Sequence, residues 1–140
     1  GAPKFSPVRK GPVESGNFPK EPHLIYIYQL LKNHTPYTPA PESEVVGRYG
    51  PGFEQEMLVL GGYGNFGQYI SRHLATLPDT HLLVCGRDLA KADQLIATLD
   101  CHESTMATAL QLDIHHDLDR VLKLEQPQVV IHTCGPFQNQ

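Results

Sequence analysis

A short apolar run followed directly by a glycine-rich turn is the feature that most restricts the fold of this 140-residue chain. The run covers residues 57–60, and the turn reads Gly61-Gly-Tyr-Gly-Asn-Phe-Gly67. Beyond the turn, apolar side chains recur every three or four residues as far as Pro78, which is the spacing of a helix buried on one face. The segment therefore predicts a buried strand, a tight turn and a helix in immediate succession.

The same succession of strand and helix continues towards the end of the chain. Three more apolar runs predict strands, and two more helical stripes lie between them, each after an aspartate that can cap a helix. Strands that are apolar throughout and alternate with helices are typical of a parallel sheet with right-handed crossovers. We therefore predict an α/β fold, a Rossmann-type doubly wound sheet of strand order 3-2-1-4 that is truncated after strand four. The predicted strands cover residues 57–60, 81–85, 109–114 and 128–133.

Proline divides the chain into two parts. Nine of the 12 prolines lie in the first 51 residues, so residues 1–56 are predicted to form a proline-rich arm and residues 57–140 the Rossmann-type domain. Within the arm, residues 23–32 are predicted as a short amphipathic helix slightly in preference to a strand. The arm is interpreted either as a loosely attached leader or as a segment that docks through its apolar residues.

The fourth predicted strand would leave an apolar edge on the sheet. Unpaired backbone groups along Val129, Val130 and Ile131 would recruit a partner. The partner is predicted to be a second chain in a homodimer or the arm segment 24–28, which has strong β character. The dimer is slightly favoured, because the prolines of the arm limit the length of a paired strand.

Composition argues against several classes of protein. The net charge is −4 and no lysine-rich or arginine-rich run is present, so a nucleic-acid partner is not expected. No apolar stretch approaches the ~18 residues that span a bilayer, so no membrane partner is expected either. Three widely spaced cysteines without a CxxC pair favour free thiols and a reducing, cytoplasmic location. The adjacent His115 and His116 would diverge on a helix, so no metal site is predicted.

The glycine turn matches G-x-G-x-x-G in the context that binds a dinucleotide, with a strand before it and a helix after it. Gly62 would allow the tight turn, Gly64 would let a pyrophosphate approach the backbone, and Gly67 would let the helix pack closely. The N–H groups at the start of the helix would then bind the phosphates. A glycine turn that binds nothing is the alternative. The predicted cofactor-binding residues of the turn are Gly62, Tyr63, Gly64, Asn65, Phe66 and Gly67.

The end of the second predicted strand distinguishes NAD from NADP. An NAD site usually carries an acid there, about 20 residues beyond the glycines, to bind the ribose 2′-hydroxyl. This chain has Gly86 and Arg87 instead. Gly86 would leave space, and the guanidinium of Arg87 suits a 2′-phosphate. The predicted cofactor is therefore NADP, with NAD less favoured.

Two further strand ends supply candidate contacts to the cofactor. Asp113 and Ile114, at the end of the third predicted strand, would flank the adenine. Cys134, Gly135 and Pro136 follow the fourth strand and would lie near the nicotinamide half. At each of these positions a purely structural role is an equal alternative.

Three segments resemble the N-terminal NADP-binding domain of the saccharopine dehydrogenase-like family. They are residues 58–70 (LVLGGYGNFGQYI), 84–92 (VCGRDLAKA) and 130–138 (VIHTCGPFQ), of which the last is the most specific. The resemblance covers residues 57–140 and does not extend to the arm. It implies an oxidoreductase that makes or breaks secondary-amine linkages, with its substrate-binding part beyond such a domain and with no catalytic residue assigned in this chain. The alternative is a non-catalytic nucleotide-sensing or interaction domain of Rossmann type.

Overall fold

The computed structural model describes residues 4–5, 9–10, 24–29 and 53–133. Within these ranges a seven-stranded sheet carries three helices of 10, 9 and 8 residues. None of these described helices has the length and apolar character needed to cross a bilayer. In chain order the elements are β1 Lys4–Phe5, β2 Arg9–Lys10, β3 Leu24–Gln29, β4 Gln55–Leu60, α1 Asn65–Leu74, β5 Thr80–Gly86, α2 Leu89–Ala97, β6 Met106–Gln111, α3 Leu118–Glu125 and β7 Val129–His132.

Four parallel strands form the centre of the sheet in the order β6-β5-β4-β7. This is the predicted order 3-2-1-4, and the predicted α/β doubly wound fold is confirmed. Leu60, the last residue of β4, pairs with Cys85 on one side and with His132 on the other. The carboxyl ends of the parallel strands therefore meet at one edge of the sheet, where the glycine turn also lies.

Apolar side chains cover both faces of the central strands, which explains their uninterrupted apolar sequences. Leu58 and Leu60 point to the face that packs against α3, together with Leu122. Val59 belongs to the opposite cluster, which packs against α1 and α2 through residues such as Ile70. All five side chains are at most 5% exposed. Burial on both faces is what fixes the central position of β4.

Aspartates precede two of the helices, but they act differently. Asp88 caps α2 as predicted, because its Oδ1 accepts a hydrogen bond from the N–H of Lys91 at 3.2 Å. Asp117 precedes α3, yet its carboxylate accepts from the N–H of Asp113 at 2.9 Å instead of capping the helix. This backbone hydrogen bond holds the pKa of Asp117 below its usual range. Its carboxylate thus ties the turn after β6 to the start of α3.

The arm contributes a strand to the edge of the sheet beside β7. β3 runs antiparallel to β7, with Tyr26 opposite His132 and Gln29 opposite Val129. On its other side β3 pairs in parallel with the two short strands β1 and β2. The side chain of Tyr28 is 7% exposed and packs into the cluster under α3. The apolar edge of β7 is therefore covered by the chain's own arm.

Two expectations about the arm need correction. The preference for a helix over residues 23–32 is wrong, because β3 occupies residues 24–29 of that segment. The local pattern allowed either structure, and hydrogen bonding to the free edge of β7 favours the strand. A dimer through this edge, which the sequence favoured, is not supported because β3 already occupies it. The alternative, in which the arm covers the edge, is confirmed.

Candidate functional site

The glycine turn leaves β4 and is held against the end of β5. The N–H groups of Gly61 and Gly62 both donate to the carbonyl of Cys85, at 2.9 and 3.0 Å. The N–H of Gly64 donates to the carbonyl of Gly61 at 3.0 Å and closes the turn. Gly61 has a φ of 75°, a left-handed conformation that favours glycine. The backbone reverses into α1 within a few residues of the strand.

Gly67 lets the first turn of α1 lie directly on this loop. A Cβ added at Gly67 would lie 1.9 Å from the carbonyl oxygen of Gly61 and 2.7 Å from the Cα of Gly62. A Cβ at Gly62 would lie 2.6 Å from a methyl carbon of Val84. Both glycines therefore permit close approaches, one of helix to loop and one of loop to β5.

The amino end of α1 is open to an anion. Its N-cap is Gly64, which has no side chain to occupy the first backbone N–H groups, and no acid lies in the first turn. The helix begins at Asn65, which is exposed. Backbone N–H groups and the positive end of a helix dipole form a favourable environment for phosphate. The residues present thus fit a pyrophosphate group at this position.

Thr133, the last residue of the fourth predicted strand, fixes the start of the loop, a role that was not predicted from its position in the sequence. Its N–H donates to the carbonyl of Leu60 at 3.0 Å. Its buried hydroxyl lies 2.6 Å from that same carbonyl oxygen and 3.0 Å from the carbonyl oxygen of Gly61, so one proton is shared between two acceptors. The signal in the sequence was its place at the end of the strand that neighbours β4.

Tyr63 fills the space beside Gly86 that was expected to receive the cofactor. A Cβ added at Gly86 would lie 1.9 Å from Cε2 of the Tyr63 ring. The Tyr63 hydroxyl accepts a hydrogen bond from the N–H of Asp88 at 3.0 Å. Gly86 is therefore needed for the tyrosine ring, and the expectation that it leaves room for a 2′-phosphate is corrected.

Comparison with known protein families agrees with this geometry. The family model named KR domain matches residues 56–135, which is more than half of the chain. The chain belongs to the KR domain family. KR domains are ketoreductase domains of NAD(P)-binding Rossmann type, and the predicted NADP cofactor agrees with the NAD(P)H that they bind. No match was found among curated proteins or among solved structures.

In this KR domain the candidate residues that follow β5 and β6 lie at the same end of the sheet as the glycine turn. Arg87 is exposed directly after β5, and its carbonyl accepts from the side-chain amide of Gln111 at 3.2 Å. β6 begins three residues earlier than predicted and ends at Gln111, so Asp113 and Ile114 lie in the following turn.

Asp113 and Ile114 both make contacts with other residues of the KR domain. The Oδ1 of Asp113 accepts from the N–H of His115 at 2.9 Å. Ile114 is partly buried and packs against the cluster under α3. The last three candidates, Cys134, Gly135 and Pro136, lie outside the described residues.

A cluster of buried polar side chains lies near the amino ends of the central strands, at the end of the sheet opposite the glycine turn. Nε2 of His81 is 2.7 Å from the hydroxyl of Thr108, and its Nδ1 is 3.3 Å from a carboxylate oxygen of Glu56. The ring of Phe53 stacks on the imidazole at 5.3 Å between centroids. These contacts join β4, β5 and β6 at their amino ends, where they stabilise the sheet.

The buried His132 in β7 gives the KR domain a predicted pH dependence. Burial, with a smaller contribution from the nearby His115, lowers the pKa of His132 from its ordinary value of 6.5 to about 4. The unfolded state then binds more protons than the folded state between these values, so the free energy of unfolding falls as the pH falls. We expect about 2 kcal/mol of loss from this group between pH 7 and pH 5.

Urea denaturation of the parent chain and of His132→Gln at both pH values measures this contribution. The glutamine side chain does not titrate, so the variant is expected to lose less stability on acidification than the parent. Other groups contribute equally to both proteins and cancel in the comparison. Equal losses in the two proteins would contradict the assignment to His132.

Proposed function

We propose that this KR domain binds NADP and serves as the cofactor-binding part of an oxidoreductase. The observation that carries the proposal is the glycine loop, which is packed so tightly that Gly67 admits no side chain, while the amino end of α1 stays open. A tight loop with exposed N–H groups at the start of a helix is suited to a pyrophosphate. The KR family match supports the same function independently.

Each proposed contact follows from the position of a strand end. The backbone N–H groups from Gly64 onwards would bind the pyrophosphate, and the Arg87 guanidinium would contribute to binding the 2′-phosphate. Asp113 and Ile114 would flank the adenine, and residues 134–136 would approach the nicotinamide half. When bound, the cofactor supplies the hydride, and the chain supplies binding and orientation. In this proposal residues 57–140 form the nucleotide-binding domain and residues 1–56 the arm.

The substrate class is the narrower part of the proposal. The resemblance of residues 58–70, 84–92 and 130–138 to the saccharopine dehydrogenase-like family supports a substrate with a secondary-amine linkage. The KR family match supports a ketone instead. In both cases a hydride moves between the cofactor and a carbon bonded to nitrogen or oxygen. Cofactor binding does not depend on which of the two is the substrate.

Calorimetric titration with NADPH tests cofactor binding, and Gly64→Val is the decisive variant. Gly64 has φ −71° and ψ 176°, an extended conformation that valine adopts readily, so the variant is expected to fold. Its side chain would project where the phosphates must approach the backbone. We expect the parent chain to bind NADPH and the variant to show no measurable binding.

A matched control is Tyr69→Val, which changes the exposed face of the same helix. Tyr69 is 44% exposed, and its ring packs beside that of His73. The control is expected to bind NADPH as the parent does. Binding by Gly64→Val with the affinity of the parent would refute the loop assignment, and a parent chain that binds no nucleotide would refute the proposed function.

A further inference from the structure

The strand β6 forms the edge of the sheet on the side away from the arm. Within the described residues it pairs only with β5, whereas the edge beside β7 is covered by β3. The residues of β6 are exposed or half-buried, and those of its neighbour β5 are all buried. The chain therefore covers one edge of its sheet and leaves the backbone groups of the other available to a partner.

The hydrogen bonding of β6 to β5 shows which of its backbone groups point outward. The N–H of Leu112, directly after β6, donates to the carbonyl of Gly86 in β5 at 2.8 Å. Alternate residues of a strand direct their N–H and C=O groups to the same side, so Thr108 and Leu110 also face β5. The residues of β6 whose backbone donors and acceptors point to the open edge are Ala107, Ala109 and Gln111.

The composition of β6 does not protect this edge. Edge strands of natural proteins commonly carry a charge, a proline or a bulge that prevents pairing with another chain. The sequence of β6 is Met-Ala-Thr-Ala-Leu-Gln, and its register with β5 is continuous, so β6 has none of the three. Met106, at its start, is 46% exposed and is the most exposed large apolar side chain of the described residues. A regular, uncharged strand with an exposed apolar side chain is suited to pairing with a further strand.

A second copy of β6 is complementary to this edge when it runs antiparallel about a two-fold axis perpendicular to the sheet. With the axis at Ala109, that residue lies opposite its own copy, and Ala107 lies opposite Gln111. All outward-pointing residues then pair with one another, and three such pairs exchange about six hydrogen bonds. An axis at Thr108 would pair only Ala107 with Ala109 within the strand. Like charges do not meet within either pairing, because β6 carries no charge.

The pairing about Ala109 also covers the apolar side chain of Met106. Met106, Thr108 and Leu110 lie on one face of β6, and Leu110 packs there against the cluster under α3. In the antiparallel pair, Met106 would lie opposite Leu112 of the second copy, and Leu112 belongs to the same cluster. The apolar cluster of each copy would therefore extend across the interface, with a methyl group of Ala109 at the axis on the other face.

We propose that the β6 edge is a homodimer interface, in which two copies of the chain pair antiparallel about a two-fold axis at Ala109. The two sheets join into one continuous sheet. Because the paired strands run in opposite directions, the glycine turns of the two copies lie at opposite ends of this joined sheet. No residue of the glycine turn belongs to the interface, so the dimer does not depend on the proposed function.

Disulfide formation in Ala109→Cys tests the register of the pair. The two Cα atoms at position 109 would be about 5.5 Å apart, which is within the range that a disulfide spans. Ala107→Cys is the matched control, because Ala107 is also half-buried on the same face of β6. Its two copies would be separated by about 14 Å, too far for a disulfide. On mild oxidation we expect a covalent dimer of Ala109→Cys and none of Ala107→Cys or of the parent chain, which has the same native cysteines.

Sedimentation equilibrium of Met106→Lys tests the interface without cysteines. The substitution places an ammonium group beside a buried leucine of the second copy, and we expect the dimer dissociation constant to rise at least tenfold. Tyr69→Lys is the matched control, because Tyr69 is 44% exposed on α1, outside the proposed interface. It is expected to dimerise as the parent does. Circular dichroism of both variants establishes that they are folded.

Three results would overturn the inference. The first is a parent chain that sediments as a monomer at every concentration. The second is equal disulfide formation in Ala107→Cys and Ala109→Cys, which would exclude the proposed register. The third is a dimer that Met106→Lys leaves as stable as that of the parent, which would place the interface on another surface. Loss of nucleotide binding affects none of these measurements, so a failure of the proposed function is distinguishable.

Discussion

Replacement of Gly67 by alanine is expected to destabilise the domain by about 3 kcal/mol and to abolish NADPH binding. The added methyl group would lie 1.9 Å from the carbonyl oxygen of Gly61 and 2.7 Å from two atoms of Gly62. These are backbone atoms, so no side-chain rotation can relieve the overlap. The loop or the first turn of α1 must move, and the phosphate-binding geometry moves with it. Urea denaturation and calorimetry measure the two effects on the same sample.

Gly62→Ala provides the comparison for Gly67→Ala, because it adds the same methyl group to the same loop. Its nearest contact is a methyl carbon of Val84 at 2.6 Å, and its nearest backbone atom is the carbonyl oxygen of Val59 at 3.3 Å. A valine side chain can shift more easily than a backbone carbonyl, so the expected loss is smaller, about 1 kcal/mol. If Gly67→Ala were as stable as the parent chain, α1 would not pack against the loop as described.

The central strands of the sheet could be predicted because the apolar runs, the glycine turn and the short connections all indicate the same fold. Residues 57–60 and 81–85 are uninterrupted apolar runs, which only a strand covered on both faces can bury well. The glycine spacing then requires a turn and a helix directly after the first run. Short crossovers leave few topologies, so the order of the four parallel strands followed from chirality and chain length.

The details of the candidate site were less predictable, because they depend on side-chain directions. The sequence shows a glycine at position 86, but spacing alone does not show that the Tyr63 ring covers it. The sequence also shows Thr133 after a strand, and its two carbonyl partners become evident only when β7 lies beside β4. Both of these contacts join elements that are distant in the chain.

The arm was ambiguous for a different reason. Residues 24–29 combine apolar positions that fit a helical face with β-branched and aromatic residues that fit a strand. The structure of such a segment is decided by its tertiary contacts. Along β7, backbone N–H and C=O groups hydrogen-bond to the segment only when it is extended. Pairing with the edge strand β7 is a tertiary interaction, and it favours the strand over a helix that the local sequence makes nearly as favourable.

Replacement of Tyr28 by alanine is therefore expected to destabilise the whole domain, by about 3–5 kcal/mol. Tyr28 lies in β3 and is 7% exposed, in a cluster that also contains Leu58, Leu122 and Val130. Truncation of its ring would leave a cavity between the arm, the central strands and α3. Urea denaturation of the full chain, followed by the fluorescence of its remaining tyrosines, measures the loss. The prediction tests whether the arm is a structural part of the domain.

Tyr69→Ala is the matched control for Tyr28→Ala, since it removes the same ring from a surface position. Tyr69 is 44% exposed on α1 and contacts His73 with its ring at 4.5 Å, so its loss is expected to cost about 0.5 kcal/mol. A difference of several kcal/mol between the two variants is the result expected if β3 packs on the domain. Equal losses would show that the arm strand contributes little to folding, and the edge of β7 would then need another partner in solution.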